Sequence, residues 1–222
     1  ASSLQPPASE DWPTFRGNAA RSGCATTRVP ATLQPAWQTT VGGRITQTVV
    51  AGGKLLVASV DNHTLVTLSA GSGEVLNSFV AGGRIDSPPS VAGDLAVFGC
   101  RDGWVYALRC SDGQLAWRFR AAPDETKLIA DGQVESVWPV HGSVLIQDGF
   151  VYACAGRSSY LDGGVRLVKL DLLTGQLKLE RNFYSRDPQT GKTVELYPSF
   201  LAGTKDKLAK MEMPGVLPDV LS

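Results

Sequence analysis

The chain has 222 residues, and its 21 lysines and arginines balance its 21 aspartates and glutamates, so its formal net charge is zero. Hydrophobic residues make up 43% and charged residues 19%, which is typical of a soluble globular protein with a buried core. The balance argues against a nucleic-acid partner, which favours a basic excess. No apolar run reaches the roughly 18 residues that a membrane-spanning helix needs, so we expect no membrane span.

Two segments precede the repeated part of the chain. Residues 1–32 are predicted to be extended; they begin ASSLQPPASEDWP, a small, polar and proline-rich start that is typical of a mature exported chain. Residues 33–43 (LQPAWQTTVGG) match residues 114–122 (QLAWRFRAA), which aligns Trp37 with Trp117. The matching segment at 114–122 is the last strand of a four-strand unit, whereas 33–43 stands alone. Such an orphan strand closes a ring of repeated units, so we predict that 33–43 is the closing outer strand of the last unit.

Three copies of one pattern follow, at residues 44–81, 84–121 and 122–184. In each copy a leucine precedes a turn glycine by five positions: Leu68 and Gly73, Leu108 and Gly113, Leu170 and Gly175. The spacing between copies is 40 residues and then 62, so the third copy carries 22 more residues than the first two. These extra residues fall into two insertions, one before the first strand of the copy and one at 156–164. Repeats of this period indicate an array of similar structural units.

Each copy is predicted to form four short strands. In 84–121, the apolar segments SPPSV, DLAVFG, WVYALR and QLAWRFR are separated by turns that contain glycine, two of them Asp-Gly. Asp-Gly between alternating apolar runs is a strong hairpin signal. Four antiparallel strands at a period of about 40 residues are typical of a β-propeller blade. The predicted fold is therefore all-β: a β-propeller with three four-stranded antiparallel blades and an orphan closing strand, in an incomplete ring.

The last segment, 185–222, is predicted to be an insertion followed by the first strand of a fourth blade, with MPGVLPDVLS as the strand. Three blades and a closing strand do not complete a ring. We therefore expect the remaining blades, from the same chain or another chain, to be partners of the described ones.

The residues of the repeat resemble a known family. Tyr106-Ala107-Leu108 followed by Gly113 and Trp117 is similar to the pyrroloquinoline-quinone (PQQ)-type propeller repeat, and DWPTFRGNAARSG at 11–23 is similar to the N-terminal signature of bacterial quinoprotein-like propellers. This resemblance implies a propeller in an exported bacterial protein, located in the periplasm or at the cell surface.

The same resemblance leaves three functions open. Quinone-dependent alcohol dehydrogenases of this family use adjacent cysteines, a catalytic aspartate and calcium ligands. The four cysteines of this chain, at 24, 100, 110 and 154, are not adjacent. We therefore predict a non-catalytic scaffold or binding domain, similar to the outer-membrane assembly lipoprotein, with no catalytic residue, no metal and no cofactor. One alternative is a PQQ-dependent dehydrogenase that uses PQQ and calcium and whose catalytic residues lie outside this chain. The other is a sensor or surface domain that binds a carbohydrate or a peptide.

The two insertions of the third copy concentrate the unusual chemistry. Function tends to lie on loops that a rigid scaffold holds in place, so we predict that a protein or small-molecule ligand binds at the blade-three loops. Guanidinium groups pair with planar anions, and aromatic rings stack on sugars or other rings. In the alternative reading, Arg157 pairs with Asp162 or Glu135 and only orders the loops. The predicted ligand-binding residues are Trp138, His141, Arg157, Ser158, Ser159, Tyr160 and Asp162.

Overall fold

The computed structural model describes residues 11–187, 189–192 and 221. Every regular element in this part of the chain is a β-strand, and the strands form three four-stranded antiparallel sheets and one two-stranded hairpin. The strand order within each sheet follows the chain. The all-β propeller with an incomplete ring, predicted from the repeats, is thereby confirmed.

The strand bounds are as follows. Blade 1 contains β1 (Val49–Ala51), β2 (Lys54–Ser59), β3 (Thr64–Ser69) and β4 (Val75–Val80). Blade 2 contains β5 (Ser90–Ala92), β6 (Leu95–Gly99), β7 (Trp104–Arg109) and β8 (Leu115–Arg120). The hairpin consists of β9 (Lys127–Ala130) and β10 (Gln133–Ser136). Blade 3 contains β11 (Leu145–Gln147), β12 (Phe150–Ala155), β13 (Val165–Asp171) and β14 (Leu177–Phe183).

The three blades repeat each other in their irregularities as well. The pairing of the third with the fourth strand shifts register at Thr67/Leu68 in blade 1, at Ala107/Leu108 in blade 2 and at Lys169/Leu170 in blade 3. Each shift involves the leucine that precedes the turn glycine by five residues. A β-bulge increases the local twist of a strand pair, so the same sequence position twists each blade.

The core lies between neighbouring blades. The middle strands are buried on both faces, as in Val105–Leu108 of β7, where four successive side chains are buried. The outer strand β14 is exposed along most of its length. Continuous burial is typical of strands that are covered on both sides, and it explains why β2, β3, β6 and β7 read as apolar runs rather than as alternating patterns.

The N-terminal segment crosses the innermost strands. Trp12 exchanges backbone hydrogen bonds with Val50 of β1, and Val91 of β5 donates to the carbonyl of Pro13. Arg21 is buried and donates to Thr14 Oγ1 at 2.5 Å, to the carbonyl of Phe15 and to the carbonyl of Val144 at 2.9 Å. Because Val144 directly precedes β11, Arg21 connects the N-terminal segment to blade 3.

Besides the shared core, a tryptophan packed on a turn glycine joins neighbouring elements. Trp117 of β8 packs on Gly175 in the last turn of blade 3, and its Nε1 donates to the carbonyl of Leu172 at 2.9 Å. Trp37 makes the same contact with Gly73 of blade 1 and donates to the carbonyl of Ala70 at 2.9 Å. Residues 33–43 are not assigned as a strand. Trp37 nevertheless contacts blade 1 in the same way as Trp117, on the outer strand of blade 2, contacts blade 3. Its role in ring closure stays a prediction.

Two predicted segments are outside the part of the chain that the structure describes. Residues 1–10 of the N-terminal segment are one. The other is the first strand of a fourth blade, predicted from MPGVLPDVLS, of which only Leu221 is described.

Candidate functional site

The first insertion of blade 3 forms the hairpin β9–β10, which the sequence left as a loop. Its two-residue turn is Asp131-Gly132, and both residues have positive φ, at 52° and 74°. This is the combination that a type I′ turn requires and that Asp-Gly adopts readily. An Asp-Gly pair between KLIA and QVES was therefore a local signal for this hairpin.

The tip of the hairpin reaches blade 1. The Gln133 side chain hydrogen-bonds His63 Nε2 through Oε1 at 2.7 Å, and its Nε2 donates to the carbonyl of Asp61 at 3.3 Å. His63 lies in the turn between β2 and β3 and has a positive φ of 58°. The hairpin follows blade 2 in the sequence and contacts blade 1 through Gln133. It therefore bridges blades 1 and 2 on one face of the propeller.

Alternating charges connect the hairpin to all three blades. Arg44 pairs with Asp61 in blade 1, at 3.1 Å. Arg84 of blade 2 pairs with Asp131 of the hairpin at 2.8 Å, and Glu135 of the hairpin pairs with Arg157 of blade 3 at 2.5 Å. We call this set the interblade ion-pair network; its members are Arg44, Asp61, Arg84, Asp86, Arg101, Asp131, Glu135 and Arg157.

Two members of the network are buried. The side chain of Arg84 is 5% exposed and that of Glu135 is 2% exposed. Glu135 receives hydrogen bonds from Arg101 at 2.7 Å and from Arg157 at 2.5 Å. A buried charge is costly unless it is paired and hydrogen-bonded. These contacts therefore hold the base of the hairpin, because breaking them would leave a carboxylate buried without a partner.

Pairing shifts the pKa values of Arg101 and Asp131 towards their charged forms. Burial alone would lower the pKa of Arg101, but hydrogen bonds to Asp86 and Glu135 raise it above its ordinary value. The hydrogen bond from Arg84 holds the pKa of the Asp131 carboxyl below its ordinary value. Both groups therefore remain charged near neutral pH.

The structure brings the seven predicted ligand residues to the neighbourhood of blade 3 but gives them different surroundings. Trp138 is buried in the core with its ring against Gly163. Ser159 is buried as well, and its Oγ hydrogen-bonds Ser185 Oγ at 2.8 Å. Arg157 pairs with Glu135, which is the contact that the alternative reading expected.

The remaining four predicted residues are more accessible. The amide of Tyr160 donates to Ser158 Oγ at 3.2 Å, which orders the second insertion. Asp162 is exposed and has a positive φ of 52°. His141 accepts a hydrogen bond from Ser87 Oγ through its carbonyl, at 2.7 Å, and lines a cavity. Ligand binding by these seven residues stays a prediction.

That cavity lies where the loops before the first strands of the three blades meet. Its volume is about 430 Å³, which lies within the range of small-molecule sites. Its charged lining comes from blades 1 and 2, and only Phe15 of the lining belongs to the N-terminal segment. The charged residues that line it are Arg44, Arg84, Asp86 and Arg101. These residues were not among the predicted site residues, although VGGRI at 41–45 and AGGRI at 81–85 repeat Arg44 and Arg84 in register.

The outer face of the hairpin is apolar. Ile129 and Val134 are directly opposite each other in the β9–β10 pair, and they are 77% and 58% exposed. Cross-strand neighbours project to the same face, so the two side chains form one exposed apolar surface. We call this pair the hairpin surface. It lies on the side of the hairpin away from Glu135, because successive residues of a strand point to opposite faces.

Two features that the resemblance attributes to PQQ-dependent dehydrogenases, adjacent cysteines and a set of calcium ligands, are not found among the described residues. Cys100, Cys110 and Cys154 are buried and unpaired, and no two cysteines of the chain are adjacent. Within residues 11–187, 189–192 and 221, no group of three histidines, cysteines, aspartates or glutamates has the geometry of a metal site. In the same part of the chain we find no helix with the length and apolarity that crossing a membrane takes.

Comparison with known proteins identifies a family. A family model described as outer membrane protein assembly factor BamB matches residues 25–198. Among curated proteins, outer membrane protein assembly factor BamB of Yersinia pestis is 28% identical over 158 residues, which cover 68% of this chain and 37% of that protein. The chain thus spans little more than a third of the length of this relative.

Solved structures share the fold. A europium-containing methanol dehydrogenase superposes with a TM-score of 0.63 at 15% identity, over 83% of this chain and 33% of that one. A quinohemoprotein alcohol dehydrogenase from Comamonas testosteroni superposes with a TM-score of 0.62 at 19% identity, over 80% and 28%. At this level of identity the likeness concerns the propeller fold alone.

Proposed function

The chain belongs to the outer membrane protein assembly factor BamB family, and from this premise we propose that it is a non-catalytic β-propeller that binds another protein in the assembly of outer-membrane proteins. The fold itself is a PQQ-type repeat propeller. Fold does not determine function, so the proposal depends on a surface that suits protein binding. We also propose that the protein is exported and is located in the periplasm or at the cell surface.

The hairpin surface is the observation that carries this proposal. Ile129 and Val134 are both largely exposed and lie on a two-stranded element that is separate from the three blade sheets. An exposed apolar group on a rigid support loses little entropy on binding and buries its area against a partner. Protein-binding hot spots commonly consist of such a small apolar centre with a polar surround.

The surroundings of the hairpin surface keep it rigid. Glu135 is buried under the hairpin and pairs with Arg101 and Arg157, while Gln133 contacts His63. Lys127, two residues before Ile129 on β9, is exposed and supplies a charged group beside the hairpin surface. The hairpin is therefore held to blades 1, 2 and 3 on one side while its other side remains available to a partner.

The test replaces the two apolar side chains by aspartate in the full-length protein in its own bacterium. We expect Ile129→Asp with Val134→Asp to lower the amount of folded outer-membrane β-barrel protein, measured by heat-modifiable mobility on gels. Leu173→Asp is the matched control, because Leu173 is 61% exposed in a turn of blade 3 away from the hairpin. The melting temperature of each purified variant shows that the fold is intact.

Two results would contradict the proposal. One is a normal level of folded barrel proteins in the hairpin variant. The other is an equal loss in the Leu173→Asp control. A separate assay addresses the enzyme alternative: the proposal expects no quinone absorbance and no dye-linked alcohol oxidation when PQQ and calcium are added to the full-length protein.

A further inference from the structure

The cavity wall carries more positive than negative charge. Its lining includes Arg44, Arg84 and Arg101, and Asp86 is the one acidic residue among its lining residues. The other carboxylates of the network, Asp61 among them, do not line it. A cleft whose lining carries mostly one sign of charge favours small ions of the opposite sign. The cavity is therefore suited to a small anion.

Two carboxylates bridge the same pair of guanidinium groups. Asp86 accepts from Arg84 Nη2 at 3.1 Å and pairs with Arg101 Nε, and its side chain is only 17% exposed. Asp131 Oδ2 lies 2.8 Å from Arg84 Nη1 and 3.3 Å from Arg101 Nη1, and its side chain is 60% exposed. Asp86 is thus a fixed part of the wall. Asp131 reaches the same two arginines from the tip of a hairpin.

Two buried polar atoms in residues of the wall lack hydrogen-bond partners among the described residues. They are Arg84 Nε and Ser143 Oγ. The Asp61 carboxylate lies 3.7 Å from Arg84 Nε, which is an ion-pair distance but too long for a hydrogen bond. Buried polar groups are normally hydrogen-bonded. A wall with unused hydrogen-bonding capacity, lined by three arginines and one aspartate, favours a ligand that brings acceptor oxygens.

We propose that Arg84 and Arg101, with Arg44 beside them, form a binding site for a small carboxylate or phosphate anion, and that Asp131 competes with this ligand from within the chain. One oxygen of Asp131 already bridges the two guanidinium groups, as an oxygen of the ligand would. Arginine is the residue that recognises carboxylate and phosphate groups through paired hydrogen bonds.

Asp131 can leave while the hairpin stays attached. Ion pairs of an exposed carboxylate contribute little net stability in water. Release of Asp131 leaves the pairs of Glu135 with Arg101 and Arg157 intact, and also the contact of Gln133 with His63. An incoming anion replaces the lost charge on Arg84 and Arg101, so no guanidinium group is left without a carboxylate or phosphate.

The test measures binding of citrate and of inorganic phosphate to the full-length protein by titration calorimetry, with sodium chloride added to equal ionic strength. Asp131→Asn removes the competing charge, and asparagine tolerates the positive φ and suits the Asn-Gly turn that results. Because an exposed ion pair is weak, we expect the variant to bind the anion about two- to fivefold more tightly.

Two further variants separate the site from general charge effects. Asp112→Asn is the matched control: Asp112 is an exposed turn aspartate that pairs with Arg109 at 2.7 Å, far along blade 2 from the cavity. We expect it to bind like the unchanged protein. Arg44→Gln removes an exposed arginine of the wall, and we expect weaker binding with an unchanged melting temperature.

The titration also distinguishes the two chemistries of the ligand. Tighter binding of citrate than of phosphate assigns the site to carboxylates, and the reverse assigns it to phosphates. The proposal is overturned if neither anion binds saturably, if Asp131→Asn binds no more tightly than Asp112→Asn, or if Arg44→Gln leaves the affinity unchanged.

Discussion

The contact of Trp117 with Gly175 joins blade 2 to blade 3 and gives a quantitative prediction. Trp117 is 9% exposed, and its ring packs directly on the Cα of Gly175. A Cβ at position 175 would lie 2.6 Å from Trp117 Cε3, which is closer than non-bonded carbon atoms approach each other. Gly175 also has a φ of +69°, in the region that favours glycine.

The two residues should behave as a coupled pair. Truncation of a buried tryptophan to alanine costs about 3–5 kcal/mol, which includes the cavity that it leaves. Gly175→Ala costs about 1–2 kcal/mol for the left-handed backbone, with about 1–3 kcal/mol more for displacing the indole ring. In the Trp117→Ala background the ring is gone and only the backbone cost remains. The double variant is therefore expected to be about 1–3 kcal/mol more stable than additivity predicts.

The assay is urea unfolding followed by circular dichroism for both single variants and the double variant. Gly149→Ala is the control for the backbone cost alone, because Gly149 has a similar φ of +78° and no described residue places an atom within 4 Å of the added Cβ. Additive free energies of unfolding would refute the reasoning. So would a Gly175→Ala cost no larger than that of Gly149→Ala.

Three further predictions concern single groups. Arg21→Met should lower the free energy of unfolding by about 3 kcal/mol in denaturant titrations, because it leaves the buried acceptors of Arg21, such as the carbonyl of Val144, unpaired. The pKa of Asp131 is held down by its hydrogen bond from Arg84, so its stabilising pair is complete above about pH 4 and is lost as the pH falls through the depressed pKa; the hydrogen-exchange protection of the hairpin should fall in that range. Burial raises the pKa of the Cys154 thiol to about 12, so iodoacetamide at pH 8 should label the exposed Cys24 and not Cys154 in the folded protein.

Each of these has a result that would contradict it. An unchanged midpoint for Arg21→Met would show that its hydrogen bonds add nothing to stability. Loss of hairpin protection already at pH 6, or an equal acid response in Asp131→Asn, would assign the change to another group. Labelling of Cys154 in native protein, at a rate comparable with that of Cys24 in mass spectra, would show that blade 3 opens readily.

The blades were predictable from sequence because each is specified locally. The strands of a blade pair with their immediate neighbours in the chain, and their turns contain glycines at fixed spacing. The leucine that precedes each turn glycine by five residues marks the same register shift in all three blades. The contact of Trp37 with blade 1 follows the alignment of Trp37 with Trp117, since the indole ring of Trp117 makes the same contact with blade 3.

The candidate site was harder to predict because it depends on contacts between distant residues. Arg84 and Asp131 are 47 positions apart, and Gln133 and His63 are 70 apart. No spacing rule relates such positions. Trp138 depends on such contacts as well: its residue type predicted ring stacking with a ligand, and its burial against Gly163 arises only when the loops fold together.

The two proposed sites are linked through Asp131, which makes one more result predictable. The hairpin surface at Ile129 and Val134 and the anion cavity at Arg84 are on opposite sides of the same hairpin. If an anion releases Asp131 and this changes the affinity for a protein partner, the partner must change the anion affinity by the same factor. Asp131→Asn already lacks the competing charge, so the coupling should disappear in it while both binding events remain. If citrate changes the affinity for the partner equally in the variant and in the unchanged protein, the two sites communicate by some other route. If citrate has no effect on the affinity of either protein, the hairpin surface is independent of the cavity.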